Sequence, residues 1–205
     1  METIEKYYTL TEEQRRRFDA LEGIYRMWNE RINVISRKDM DHFAERHVLH
    51  SLAIAEACRF EKDARVCDIG CGGGFPTVPL AILFPEVQFT AVDSVGKKIT
   101  VLREVVSALG LDNVRPVNAR IEELDGRFDY AVSRAVTDMR TLLGWALPKI
   151  DAGQRGTLPN GVLCLKGGDL TEELRATRRE CRIFDISEWF VEPFFETKRV
   201  IYTKK

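Results

Sequence analysis

No uncharged apolar stretch in this chain approaches the roughly 18–20 residues needed to cross a bilayer, which sets aside a membrane-spanning helix. The first residues, Met-Glu-Thr-Ile-Glu-Lys, lack a basic segment followed by an apolar run, so no secretory signal is expected. Cysteine is scarce and scattered: Cys58, Cys67, Cys71, Cys164 and Cys181 form an odd set with no C-x-x-C. That pattern disfavours a disulfide framework or a zinc knuckle and fits a reducing cytoplasm. Neither sign of charge prevails, since 31 Lys and Arg face 32 Asp and Glu for a net charge of −1. Bulk charge therefore cannot coat a nucleic acid, although a local basic face is compatible with the balance. Internal repeats and low-complexity tracts are also missing.

What is present is ordinary globular material: 205 residues, 44% hydrophobic and 31% charged. Wholesale disorder is excluded, and the length suits one compact unit better than two full domains. Residues 1–60 read as a helical extension. Thr11-Glu-Glu-Gln14 has the form of a capping box, followed by Phe18, Leu21, Ile24, Tyr25 and Trp28 at helical spacing. A second helix is predicted from about Asp41 to Cys58. Residues 61–205 then alternate. Strands are predicted at Arg65–Ile69, Val87–Val92, Val114–Asn118, Phe128–Ser133, Gly161–Leu165, Ile183–Val191 and Arg199–Thr203. Helices fall between them at about Val78–Phe84, Lys97–Leu109, Met139–Leu147 and Leu170–Cys181, and Asp151–Asn160 is a polar surface loop. This alternation implies an α/β fold, a seven-stranded mostly parallel sheet with helices on both faces. The stretch Glu192-Pro193-Phe194-Phe195 is too short for a parallel crossover, so the last strand should run antiparallel to the sixth.

The most informative run is Asp68-Ile-Gly-Cys-Gly-Gly-Gly-Phe-Pro76, placed where the first strand meets its helix. Ligands of open parallel sheets bind beyond the carboxyl ends of the strands, and glycines there let backbone approach a ligand closely. The dinucleotide fingerprint G-x-G-x-x-G would need glycine at position 75, which is Phe75. An acidic residue leading into G-x-G-x-G resembles instead the S-adenosylmethionine site of class I, Rossmann-like methyltransferases. Asp93 closes the second strand, where a carboxylate can accept hydrogen bonds from two ribose hydroxyls; the alternative is a helix N-cap.

Further along, Gly-Gly-Gly-Phe-Pro-x-x-Pro-Leu-Ala, Val-Asp-Ser-x-x-Lys-Lys, Ala-Arg-Ile-Glu, Val-Ser-Arg-Ala and Leu-Lys-Gly together resemble the RsmG (GidB) family. Trp28-Asn29, Asn33 and Arg46-His47-x-x-x-Ser51-Leu52 extend the likeness to about Trp28–Tyr202. Thr77 stands where the family usually has glycine, and His50 where it often has aspartate. The resemblance implies a bacterial methyltransferase acting on N7 of a guanine in small-subunit (16S) ribosomal RNA, with S-adenosylmethionine as cofactor. It implies cofactor contacts from Asp68, Gly70, Gly72, Gly74, Phe75, Asp93, Ser94, Ala119, Arg120, Ile121, Glu122 and Arg134. It also implies a basic RNA cleft using Lys97, Arg120, Arg134 and Arg199, with Arg134 positioning the substrate and Lys166 and Arg199 beside it. The expected partner is small-subunit ribosomal RNA or a ribosomal particle in the cytoplasm, without membrane or metal.

Two absences agree with that chemistry. There is no [Asp/Asn]-Pro-Pro-aromatic run of many amine methyltransferases and no Pro-Cys pair for attack on pyrimidine C5. Guanine N7 carries a lone pair and no proton, so it needs neither a base nor a covalent intermediate. His47 and His50 lack a third ligand nearby in sequence, which favours a hydrogen-bonding role over a metal. Arg15-Arg-Arg17 and Arg175, Arg178, Arg179 and Arg182 read either as solvated helix faces or as phosphate contacts. Two alternatives share the fold: a methyltransferase of another substrate, and a non-enzymatic ribosome-assembly protein.

Overall fold

The computed structural model describes residues 2–134 and 136–205; Met1 of the leading stretch and Ala135 of the Val-Ser-Arg-Ala run lie outside them. Its sheet consists of β1 (Arg65–Ile69), β2 (Gln88–Asp93), β3 (Val114–Asn118), β4 (Tyr130–Arg134), β5 (Gly161–Gly167), β6 (Arg182–Asp185) and β7 (Lys198–Lys204). The strand order is β3-β2-β1-β4-β5-β7-β6. The first five strands are parallel, while β7 runs antiparallel to both β5 and β6.

Alternate residues of the central strands face two separate cores, as a two-residue period requires. Val66, Tyr130, Val132, Leu163 and Leu165 join one; Cys67, Ile69, Ala131, Val162 and Cys164 join the other. The first core is covered by the N-terminal helices α1 (Glu2–Glu5), α2 (Glu12–Asn29) and α3 (Arg37–Met40), π-helical Ala44–Leu49, and α4 (His50–Ala57). Helices α5 (Thr77–Leu83) and α6 (Gly96–Leu109) complete that layer. The other face carries α7 (Met139–Ala146) and α8 (Thr171–Thr177). The helical extension, described from residue 2 to residue 60, thus shares a core with the sheet, with Leu21, Leu49, Leu52 and Ile54 fully buried in the same cluster as Val66.

The capping box at Thr11 forms, and its Gln14 does more than cap. The Gln14 side-chain oxygen accepts from Thr11 N–H, while its amide donates to the Ile82 and Leu83 carbonyls at the end of α5. Two expectations change. The sixth strand stops at Asp185, because Ile186, Phe190 and Phe195 are all buried in the first core. Short 3₁₀ turns at Ile186–Glu188 and Pro193–Phe195 break the extended backbone there and carry those side chains onto the first core. Helix α8 ends at Thr177, with Arg178 in the left-handed region at φ 53°.

Helix α2 also reaches the glycine loop. Tyr25 is completely buried, and its hydroxyl donates to the Gly73 carbonyl at 2.7 Å. Tyr25→Phe keeps the ring but leaves that carbonyl unpaired. It should lower the unfolding free energy by about 1 kcal/mol, measured by urea denaturation. An unchanged midpoint and slope would mean that the loop finds another donor.

Candidate active site

At the carboxyl end of β1 the chain turns through Gly70 at φ +69° and Gly72 at φ +57°, a region that favours glycine. A Cβ on Gly70 would collide with the Val136 side chain at 2.4 Å, whereas one on Gly72 would meet open space. The loop is tied to the neighbouring strand, since Gly70 and Cys71 N–H both donate to the Val92 carbonyl. Asp93, at the end of β2, completes the tie. One carboxylate oxygen accepts from Gly72 N–H at 2.9 Å and the other from Val95 N–H at 2.8 Å. Each oxygen keeps a further lone pair. Helix α6 begins after Val95 without a side-chain cap, so Asp93 does not serve as its N-cap.

Above this loop lies a cleft of about 540 Å³, lined by Gly70, Gly72, Phe75, Asp93, Ser94, Ala119, Arg120, Ile121, Glu122 and Arg134 among others. A second cavity of about 600 Å³ adjoins it. Arg134 and Val136 line both, so Arg134 stands in the shared wall. Its position is fixed from several sides. The guanidinium donates to the Arg46 carbonyl at 3.3 Å and to His47 Nδ1 at 3.1 Å, and lies 5.1 Å from the Phe75 ring centre. Arginine has no acceptor, so His47 Nδ1 must be the bare nitrogen and Nε2 must carry the proton. Burial, then the positive Arg134, pushes His47 down to about 4, so the ring is neutral at physiological pH. Beneath it Tyr25, Phe43 and Phe75 form an aromatic floor, with His47 5.2 Å from the Phe75 centre.

The sequence-predicted residues divide into three groups. The cleft brings together ten of them, those named above. Asp68 and Gly74 lie beneath the loop: Asp68 is fully buried, and a Cβ on Gly74 would strike Leu102, Val78 and the Tyr25 hydroxyl. Lys97 is exposed and does not line the cleft; its neighbour Lys98 does. Lys166 lines the second cavity, but its ammonium pairs with Glu173 at 2.7 Å and donates to the Thr137 carbonyl. Arg199 lies opposite Lys166 in the β5–β7 register and pairs with Asp185 at 2.7 Å. Val34, Val136 and Trp145 on the cleft, and Phe194 and Lys198 on the second cavity, carry no motif that marks them in the sequence.

Thr77, which departs from the family pattern, has a structural partner. Its hydroxyl donates to one Asp68 oxygen at 2.6 Å and its N–H to the same oxygen at 3.2 Å. The other Asp68 oxygen has no partner among the described residues. Burial pushes this carboxyl up to about 7, against the Thr77 hydrogen bonds and the Arg134 charge, which pull it down. The folded state therefore keeps a proton that the unfolded chain releases in the ordinary range near ~3.9. Asp68's contribution to stability is full below that range and declines as pH rises toward about 7. Asp68→Asn should remove this decline, so its stability relative to wild type should improve between about pH 5 and 8 in urea unfolding. A constant difference across that window would contradict the assignment.

Comparison with known proteins adds to this geometry. A family model described as rRNA small subunit methyltransferase G (GidB) matches residues 14–202. The chain is 50% identical over 205 residues to ribosomal RNA small subunit methyltransferase G of Bacteroides thetaiotaomicron, covering 100% of both. It is 47% identical over 203 residues to the Cytophaga hutchinsonii protein of the same name, covering 98% of each. Among solved structures, the T. thermophilus 16S rRNA N2 methyltransferase RsmC with AdoMet and guanosine superposes with a TM-score of 0.57 at 15% identity, over 85% of this chain and 45% of that one. Precorrin-6y C5,15-methyltransferase of Geobacter metallireducens gives 0.56 at 13% identity, over 85% and 92%. At these identities the structures speak for the class I methyltransferase fold alone.

Proposed function

The chain belongs to the rRNA small subunit methyltransferase G (GidB) family, and from that premise we propose that it transfers a methyl group from S-adenosylmethionine to N7 of a guanine in small-subunit ribosomal RNA. The observation that carries the reading is Arg134 standing in the common wall of two adjoining cavities. One cavity suits the cofactor and the other suits a base. Gly72 offers bare backbone, Asp93 offers two lone pairs for ribose hydroxyls, and Ile121 and Ala119 offer apolar contact for an adenine. When bound, S-adenosylmethionine supplies a sulfonium methyl group.

The rest is done by the protein. N7 is a lone-pair nucleophile without a proton to remove, so the residues at the wall need only orient the base. Arg134 suits this: burial pushes it down to about 10, which leaves it charged at neutral pH, and it is a donor alone. It can hold guanine O6 or a phosphate, leaving N7 uncovered. Glu173 is committed to Lys166 and to Met139 N–H, so it does not stand ready as a base. On this reading the partner is small-subunit RNA or a ribosomal particle, and the compartment is the cytoplasm. The test is incubation with tritiated S-adenosylmethionine and small-subunit RNA, followed by nucleoside analysis. Label in 7-methylguanosine is expected. Label in another nucleoside, or none in RNA whether it is supplied free or in the small-subunit particle, overturns the reading.

A further inference from the structure

We propose that His50 reads the acceptor base, its Nε2 accepting a hydrogen bond from the exocyclic N2 amine of guanine in the second cavity. The inference rests on the guanine reading above and adds a specificity residue to it. Around that cavity the charged groups already have neighbours. Lys166 and Glu173 pair with each other, Lys198 lies 4.8 Å over the Phe194 ring, and Arg134 is held by His47 and the Arg46 carbonyl. His50 differs. It is 7% exposed, it lines the cavity, and its Nε2 has no hydrogen-bond partner among the described residues. A buried polar atom left unpaired is costly, and a ligand that pairs it recovers that cost on binding.

The ring is held in place by its surroundings. It meets Phe194 edge-on at 5.5 Å and lies 6.1 Å from Phe195. The Arg46 carbonyl, one helical turn back, favours a proton on the ring, and a carbonyl only accepts. With the proton on Nδ1, toward that carbonyl, Nε2 is a bare acceptor. Burial, with Arg134 and Lys198 nearby, keeps the ring neutral. An acceptor at this place selects by base. Guanine carries O6, N1–H and the N2 amine in succession along one edge. With O6 on Arg134, that edge continues into the cavity and the amine becomes the donor His50 lacks. Adenine presents a lone pair at N1 and no amine at C2, so it offers His50 nothing.

The experiment compares kcat/KM for methyl transfer to an RNA fragment carrying the target guanine and to the same fragment with inosine there. Inosine lacks only the N2 amine. Wild type should prefer guanine by about 10-fold. His50→Leu should bring guanine down to the inosine level, with S-adenosylmethionine affinity by calorimetry unchanged. His50→Gln, which can place an amide oxygen near the Nε2 position, should keep the preference. Equal rates for the two RNAs with wild type overturn the proposal, even if His50→Leu fails to fold. So does a His50→Leu protein that binds the cofactor normally and still prefers guanine, or a His50→Gln protein that binds it normally and does not. A wild-type enzyme that methylates neither RNA, free or assembled into the small-subunit particle, overturns the functional reading itself, which is a different result.

Discussion

An Arg134→Ala enzyme is expected to bind S-adenosylmethionine within a few-fold of wild type and to lose about 100-fold or more in single-turnover methyl transfer. Arg134 is not part of the glycine loop or the Asp93 tie, so their geometry survives its removal. What disappears is the donor group in the wall between the two cavities. In-line displacement is sensitive to small misplacement, and an acceptor base without its anchor samples many unproductive poses. Arg134→Lys should recover only part of the loss. Lysine keeps the charge but lacks the planar fork that reaches the Arg46 carbonyl, His47 Nδ1 and a ligand together. No ionisation of a general base should limit the rate above neutral pH in wild type. Full transfer by Arg134→Ala would remove this residue from the mechanism, and a basic-limb pKa abolished by one side-chain substitution would restore a catalytic base.

The legible part of this chain is the part governed by short-range rules. The parallel strands, the glycine loop and the acid at the end of β2 follow from local pattern, because a buried parallel strand is apolar on both faces and a tight approach requires glycine. The antiparallel β7 follows from connection length. Long-range pairing was not readable. Nothing local places β7 between β5 and β6, or turns Ile186, Phe190 and Phe195 into one core instead of a strand. The same limit applies to the site. Ten cleft residues sit in motifs, whereas Val136, Phe194 and Lys198 reach their cavities only through tertiary packing. His47 and His50 are visible as a pair in sequence. Their different tasks depend on neighbours 87 and more than 140 positions away, Arg134 for one and Phe194 for the other. The π-helical turn that carries His47 has no sequence signal of its own.

Asp93→Ala should weaken S-adenosylmethionine binding by about 1.5–3 kcal/mol, roughly ten- to hundredfold in Kd. The carboxylate is 8% exposed and sits at the mouth of the cleft with one free lone pair on each oxygen beyond its bonds to Gly72 and Val95. Charged acceptors on hydroxyls stand at the strong end of the hydrogen-bond range. The substitution also strands two backbone N–H groups, so some loss of stability accompanies it, and this must be separated from the loss of affinity. Calorimetric Kd and urea unfolding of the cofactor-free protein read the two effects independently. If Asp93 only fastens the loop, Asp93→Ala lowers the unfolding free energy while a folded sample binds the cofactor with the wild-type Kd. If it holds the ribose, the Kd rises in a sample that is fully folded, the apparent KM for the cofactor rises with it, and the rate at saturating cofactor changes far less. An unchanged Kd in the folded variant would contradict ribose binding at this position.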